Sequence, residues 1–196
     1  TWTKRRKKKK GNIVRIWSKI FSFVLRAKFY NGAKGGSFSR EAANNAGMKG
    51  CFAMAKIKVG IIGVGNIAEC HINGYLHNPD VELYAFCDIN EKRLKAKGEK
   101  YGVTRLFTDK DEMLKLKEID AVSVCTWNAA HAECSIAALN AGKNVLCEKP
   151  MAMNAEQALA MQAAAEKSGK LLMIGFVRRY GNDCKILKDF IDNGYM

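Results

Sequence analysis

Two stretches of this chain combine residue types and spacings that chemistry can use. The first is Val59-Gly60-Ile61-Ile62-Gly63-Val64-Gly65-Asn66-Ile67-Ala68, and the second is Gly142-Lys143-Asn144-Val145-Leu146-Cys147-Glu148-Lys149-Pro150. The apolar run entering Gly63-x-Gly65-x-x-Ala68 reads as a strand that turns into a helix. Gly63 permits a tight turn, Gly65 lets the backbone approach a pyrophosphate, and Ala68 lets helix and strand pack closely. The amides of the turn and helix start (Gly63, Val64, Gly65, Asn66 and Ile67), together with the helix dipole, favour phosphate charge. Glycines also mark ordinary turns, so the motif gains weight from Asp88, twenty residues past Ala68 at the end of the next strand. A carboxylate there would accept bonds from the adenosine ribose hydroxyls and repel a 2′-phosphate. NAD is therefore expected over NADP, while Lys92 and Arg93 lie close enough to keep NADP possible.

Glu148-Lys149-Pro150 sets an acid, a lysine and a proline at the end of another apolar strand. Ligands of open parallel sheets bind beyond the carboxyl ends of the strands. Both stretches are thus expected to face one crevice, with a cofactor at one end and a proton-handling lysine near the other. Taken alone, Lys149 would read as an exposed lysine after a strand.

The elements that must position these residues alternate strand and helix. Strands are expected at Lys58–Ile62, Val81–Cys87, Arg105–Phe107, Asp120–Cys125, Asn144–Cys147 and Leu171–Gly175. Helices are expected at Asn66–His77, Glu91–Tyr101 (stopped by Gly102), Asp111–Leu116 (capped by Asp109), Ala129–Ala141, Ala155–Ser168 (Asn154 to Gly169) and Gly181–Asn193. This order implies an α/β fold, a Rossmann-type doubly wound parallel sheet, with strands solidly apolar because helices cover both faces.

The Gly63–Ala68 loop, Asn128-x-x-His131, Ala138-Leu139-Asn140-Ala141-Gly142-Lys143 and Glu148-Lys149-Pro150 together resemble the Gfo/Idh/MocA oxidoreductases, and Gly175-Phe176-Val177-Arg178-Arg179-Tyr180 is similar to their inositol-dehydrogenase-like branch. The resemblance covers residues 56–196. It implies NAD(P)-dependent hydride transfer at a carbinol carbon of a sugar, polyol or inositol-like substrate, with Lys149 hydrogen-bonding the reacting hydroxyl and assisting proton transfer. A cationic donor stabilises a developing alkoxide, and desolvation can bring a lysine pKa toward neutrality. Glu148 would orient the lysine or lie near the nicotinamide, and Pro150 would fix the turn, often through a cis bond.

Thr126 ends an apolar run, and Asn128 and His131 follow it; these three should border the nicotinamide. A lone His is otherwise a helix-start or packing residue. Arg178 would contact substrate or cofactor, unless it is ordinary surface charge. His71 reads as packing or capping, and Trp127 as a nicotinamide cover or a rim residue. The resemblance further implies a second α/β substrate domain, missing from this sequence, which usually supplies a histidine that completes proton transfer, and a homo-oligomeric full-length protein. No His follows His131 here, which puts the activity of the chain as given in doubt. A non-catalytic NAD-binding or sensing module and an inactive fragment are the competing readings; a pure sensor has no need of Lys149.

The net charge of +14 points toward nucleic acid or membranes, but its distribution confines that reading. Residues 1–53 hold 14 Lys/Arg and one acid, Glu41, whereas residues 54–196 hold 19 Lys/Arg and 18 Asp/Glu. Residues 12–26 fit a basic amphipathic helix behind the Lys4–Lys10 run, able to lie on an anionic surface or hold phosphates without sequence preference. The competing reading is translated upstream sequence. Met54 opens the domain as a start codon would, and Lys49-Gly50 can be encoded like a ribosome-binding site. The division is then a basic extension (1–53), an NAD(P)-binding domain (54–178) and the start of a connection onward (179–196). No specific nucleic-acid partner, no membrane span and no metal site is expected. Seven cysteines without metal or disulfide spacing fit reduced thiols in a cytoplasmic protein.

Overall fold

A computed structural model describes residues 56–195. The basic segment 1–53, with its expected helix over 12–26, lies outside the described residues. Among those described, strands and helices alternate: β1 (Ile57–Ile62), α1 (Asn66–Leu76), β2 (Val81–Cys87), α2 (Glu91–Tyr101), β3 (Leu106–Phe107), α3 (Lys110–Leu114), β4 (Ala121–Val124), α4 (His131–Asn140), β5 (Asn144–Cys147), α5 (Ala155–Ser168), β6 (Leu172–Ile174) and α6 (Asn182–Asp192). Local chemistry sets several boundaries. Asn90, Asp109 and Asn154 each cap a helix by accepting a backbone N–H through the side chain, and Gly102 and Gly169 end α2 and α5 in the left-handed region.

Some expected boundaries move. The helix expected over Ala129–Ala141 opens as a 3-10 turn, Asn128–Ala130, and becomes α-helical at His131, whose ring is held by two carbonyls described below. The last helix begins at Asn182, after an unforeseen 3-10 turn at Val177–Tyr180. The helix expected over Asp111–Leu116 spans Lys110–Leu114 and closes in turns, with Leu116 N donating to Met113 O and Ile119 N to Leu116 O.

All strand pairs are parallel, in the order β3-β2-β1-β4-β5-β6. This is the doubly wound order, with its switch point between β1 and β4. One apolar layer lies around Val59, Ile61, Ile72 and Phe86, and the other around Val122, Val124, Met113 and Met161. No helix of the described residues is long and apolar enough to cross a membrane. Along α6, Ile186, Leu187, Phe190 and Ile191 remain more than half exposed.

One buried polar pair ties α1 to the sheet. Tyr75 Oη and Ser123 Oγ lie 2.6 Å apart with no water-facing surface to spare. Burial pushes the phenol pKa up, so it stays neutral. Tyr75→Phe leaves the serine hydroxyl buried and unpaired and is expected to cost about 1–3 kcal/mol. The double variant Tyr75→Phe/Ser123→Ala should recover part of that loss in urea denaturation; strictly additive losses would show that the pair is not coupled.

Candidate functional site

Register creates the site. Ile62 lies beside Cys87 and Val124, Val124 beside Cys147, and Cys147 beside Ile174. The ladder continues for one residue past these strand ends. Gly63 N donates to Cys87 O, Cys125 N to Ile62 O, Glu148 N to Val124 O and Gly175 N to Cys147 O, at 2.7–3.0 Å. Asp88, Gly63, Cys125, Glu148 and Gly175 therefore stand in one row along the carboxyl edge of the sheet.

The Gly-rich loop occupies the middle of that row. Gly63 has φ +85°, and a Cβ there would lie 2.8 Å from the backbone of Cys125 and Thr126, so only glycine fits. Gly65 differs. Its backbone is extended, and apart from its chain neighbours a Cβ would meet only Arg93 Nη1, at 3.5 Å. The space over Gly65 is thus open to a ligand. No side chain caps α1, whose N-cap is Gly65, leaving the amides of Asn66 and Ile67 as donors without a capping partner. An open glycine beside an uncapped helix start fits a pyrophosphate.

Asp88 does more than the sequence reading assigned it. It is 7% exposed; Oδ2 accepts from Val64 N (2.9 Å) and Oδ1 from Asn90 N (2.8 Å). The Val64 amide, expected among the phosphate donors, is thus committed to Asp88. Arg93 Nε lies 3.8 Å from Asp88 Oδ2.

The lysine turn is fixed from below. Glu148 is buried; Oε1 accepts from His71 Nε2 at 2.9 Å and Oε2 from Lys149 N at 3.1 Å. Burial works against the His71 imidazolium, but Cys125 Sγ and the Glu148 carboxylate overcome it and raise its pKa to about 10. Burial likewise disfavours the Glu148 carboxylate, and the hydrogen bond and charge of His71 outweigh it, leaving its pKa below the ordinary carboxylate value. The Lys149–Pro150 bond is cis, and Lys149 itself is exposed. His131 is 1% exposed, with Nδ1 2.7 Å from Pro150 O and Nε2 3.2 Å from Thr126 O. A carbonyl only accepts, so the ring nitrogen that carries the hydrogen donates to the carbonyl facing it, and the ring lies between the end of β4 and the proline turn.

The remaining expected residues fall on both sides of the boundary. Asn128 is exposed beside the crevice, as is Trp127 at 73%. Thr126 turns inward, its Oγ1 buried without a conventional hydrogen-bond partner and facing the Cys134 thiol. Arg178 is 83% exposed and pairs with Asp183 at the surface (3.5 Å). Sequence reasoning missed the partnership of His71 with Glu148. The available signal was the placement of His71 on the apolar face Ala68, Ile72 and Tyr75, where a buried imidazole needs a partner. It also missed Gly175, where a Cβ would lie 3.2 Å from Glu148 Cα. Burial raises the Cys87 and Cys147 thiols to about 12 and Cys134 to about 11, which suits packing rather than nucleophilic attack.

Linkage fixes how this network responds to pH. The folded pKa of His71 lies above its ordinary 6.5, so its contribution is fully present below pH 6.5 and is lost as pH rises through about 10. The folded pKa of Glu148 lies below 4.5, so its contribution is present above that value and lost as pH falls through the folded one. His71→Gln is therefore expected to lower Tm most between about pH 5 and 6.5, with the gap to wild type closing toward alkaline pH. A gap independent of pH would mean that the imidazolium charge plays no part.

Residues 57–176 match the GFO_IDH_MocA family, described as an oxidoreductase family with an NAD-binding Rossmann fold. The D-glucoside 3-dehydrogenase of Escherichia coli is 39% identical over 150 residues, which are 76% of this chain and 43% of that protein. The myo-inositol 2-dehydrogenase of Thermotoga maritima is 36% identical over 70% of this chain and 41% of its own length. The scyllo-inositol dehydrogenase of Lactobacillus casei, solved with NAD(H) and scyllo-inositol bound, superposes with a TM-score of 0.66 at 29% identity, over 71% of this chain and 42% of that one. The chain thus spans less than half the length of these relatives. The match over residues 57–176, more than half of the sequence, shows that the chain belongs to the Gfo/Idh/MocA oxidoreductase family, through that family's NAD-binding Rossmann domain.

Proposed function

We propose that residues 54–178 are the cofactor domain of a dehydrogenase that moves hydride between a nicotinamide and a carbinol carbon of a sugar, polyol or inositol-like substrate. The observation that carries this reading is an exposed Lys149 on a turn clamped by Glu148 and His131, in the same strand-end row as an open, uncapped Gly-rich loop. The family relationship and the activities named for the relatives support the substrate class.

Bound there, a nicotinamide dinucleotide supplies or accepts the hydride. The chain's own residues bind and orient. Gly65, Asn66 and Ile67 hold the pyrophosphate through open space and backbone donors, whereas the Gly63 amide, expected among those donors, is committed to Cys87 O and Gly63 serves only to make the turn. Asp88 keeps the loop in shape, through the Val64 amide, beside the adenosine ribose. Asn128 borders the nicotinamide, while Thr126 and His131 hold that edge from inside. Lys149 Nζ carries the proton at the reacting oxygen: the ammonium donates to a carbonyl being reduced, and the amine accepts from a hydroxyl being oxidised. Glu148 acts through the Lys149 backbone, as a positioning residue. Arg178 serves the rim of the crevice in this reading, and residues 179–196 lead onward from the domain.

The test is titration of the chain with NADH, followed by nicotinamide fluorescence. Saturable binding is expected. Gly65→Val keeps an extended backbone that valine tolerates, so it should retain the wild-type melt while raising Kd at least about tenfold. Gly63→Ala should instead destabilise the fold by about 1–3 kcal/mol, because a left-handed residue gains a side chain against backbone. A folded wild-type chain that binds no NADH would refute the reading.

A further inference from the structure

We propose that Trp127 is a stacking platform for the substrate, taking the C–H face of a ring-shaped polyhydroxy compound (a pyranoside or a cyclitol) while Lys149 meets a hydroxyl on the ring's edge. The inference rests on the function proposed above and narrows its substrate class to rings, against open-chain polyols.

The strand ends bring aromatic residues to the lysine. Val124 is paired with Cys147, and Cys147 with Ile174, so the segments leaving β4 and β6 flank Lys149 on either side. Trp127 follows Thr126, whose carbonyl faces one nitrogen of the His131 ring at 3.2 Å, while Pro150 O faces the other at 2.7 Å. The residue before the indole is thus one imidazole away from the lysine turn. The backbone of Trp127 is fixed as well: its carbonyl accepts from Ala130 N at 3.0 Å and opens the 3-10 turn. On the other side, Gly175 N donates to Cys147 O, and the chain then bends at Phe176 (φ −79°, ψ 60°), with Val177 N donating to Gly175 O at 2.9 Å. This inverse γ-turn leaves Phe176 half exposed at the end of β6.

Exposure separates Trp127 from a packing residue. It is 73% exposed on a held backbone, beside an exposed lysine, so its indole keeps apolar surface in water that a ligand can cover. A ring that carries its hydroxyls equatorially keeps them on its edge and leaves C–H groups on both faces. Such a face is apolar and slightly positive, whereas the face of an indole is apolar and negative, so the two pack together. The edge hydroxyls meanwhile suit a lysine, which donates as the ammonium and accepts as the amine. An open-chain polyol has no lasting C–H face, and it loses torsional freedom on lying flat. An exposed cation with an exposed aromatic residue on each side therefore favours a ring.

The experiment uses the chain loaded with NADH, so that alcohol ligands bind without hydride transfer, and reads their affinity by saturation-transfer NMR. The probes are scyllo-inositol, whose hydroxyls are all equatorial, methyl β-D-glucopyranoside and open-chain sorbitol. Both rings are expected to bind saturably, and sorbitol at least about tenfold more weakly. Trp127→Ala should weaken both rings at least about fivefold and change NADH affinity less than about twofold, and Trp127→Phe should recover most of the loss. The inference is overturned by rings that do not bind the NADH-loaded wild type, by sorbitol binding as tightly as the rings, or by ring affinity that ignores Trp127→Ala. It is overturned equally if Trp127→Ala weakens NADH by the same factor as the rings, because the indole then covers the cofactor. Each of these results leaves the cofactor reading intact. Folded protein that binds no NADH overturns both.

Discussion

The register of β1 against its two neighbours is the constraint on which everything in the site depends. Ile57 to Val59 pair with Val81 to Leu83, but Gly60 pairs with Ala85, so β2 carries one extra residue at Tyr84. Continued without that shift, the ladder would set Ile62 beside Phe86 and carry Asp88 one residue past Gly63. Shifted, it brings Ile62 beside Cys87, which permits the bond from Val64 N to Asp88. The extra residue is not left loose. Lys58 Nζ and the Arg105 guanidinium lie 4.6 and 4.1 Å from the Tyr84 ring centre. Gly60 contributes from the other strand: a Cβ there would press on Met113 and Ile119 at 3.1 and 3.3 Å, so the missing side chain lets α3 and the loop after it close over β1.

The same row requires charges to be buried, and each is compensated by a group from a different element. Glu148 would be costly alone at 6% exposure; His71, the Lys149 amide and the protonated state of the imidazole make it tolerable. His71 belongs to α1, the helix that begins at Gly65. The helix whose start carries uncapped amides therefore also grips the lysine turn, and one buried pair joins the two ends of this stretch of the row. On the far side, Glu69 in the first turn of α1 accepts from Lys97 and Lys100 of α2, which holds its pKa near 2 and fixes α2, with Arg93, against the same helix.

Local features of this kind differ in how far a sequence discloses them. The strands β2 and β5 and the helices α2 and α5 fall on the residues that apolar runs, Asn154, Gly102 and Gly169 indicate, because caps and periodicity act within a few residues. The Gly63 turn and the strand-end position of Lys149 follow from the same local logic. His71 and Glu148 are 77 residues apart and meet only through the register of β1, β4 and β5, so no local pattern announces the pair. The inward turn of His131 has the same origin: its partners are the carbonyls of Thr126 and Pro150, and backbone acceptors leave no trace in residue types. Asp88 lies between these cases. Its position was readable, but its use as a loop clamp depends on the extra residue in β2.

The finished edge has a charge pattern that the composition of the domain conceals. Asp88 and Glu148 are both buried and each bonded through both oxygens to nearby donors, while Arg93 and Lys149, the cations beside them, project toward solvent. Three strand spacings, roughly 14 Å, separate β2 from β5. The acids are spent on holding backbone, and the crevice shows a cation at each end with uncapped amides between. A near-neutral domain thereby leaves positive groups, two cations and the uncapped amides between them, as the exposed charge of this edge. Electrostatic selection at this edge comes from which charges the fold buries, not from how many of each sign it contains.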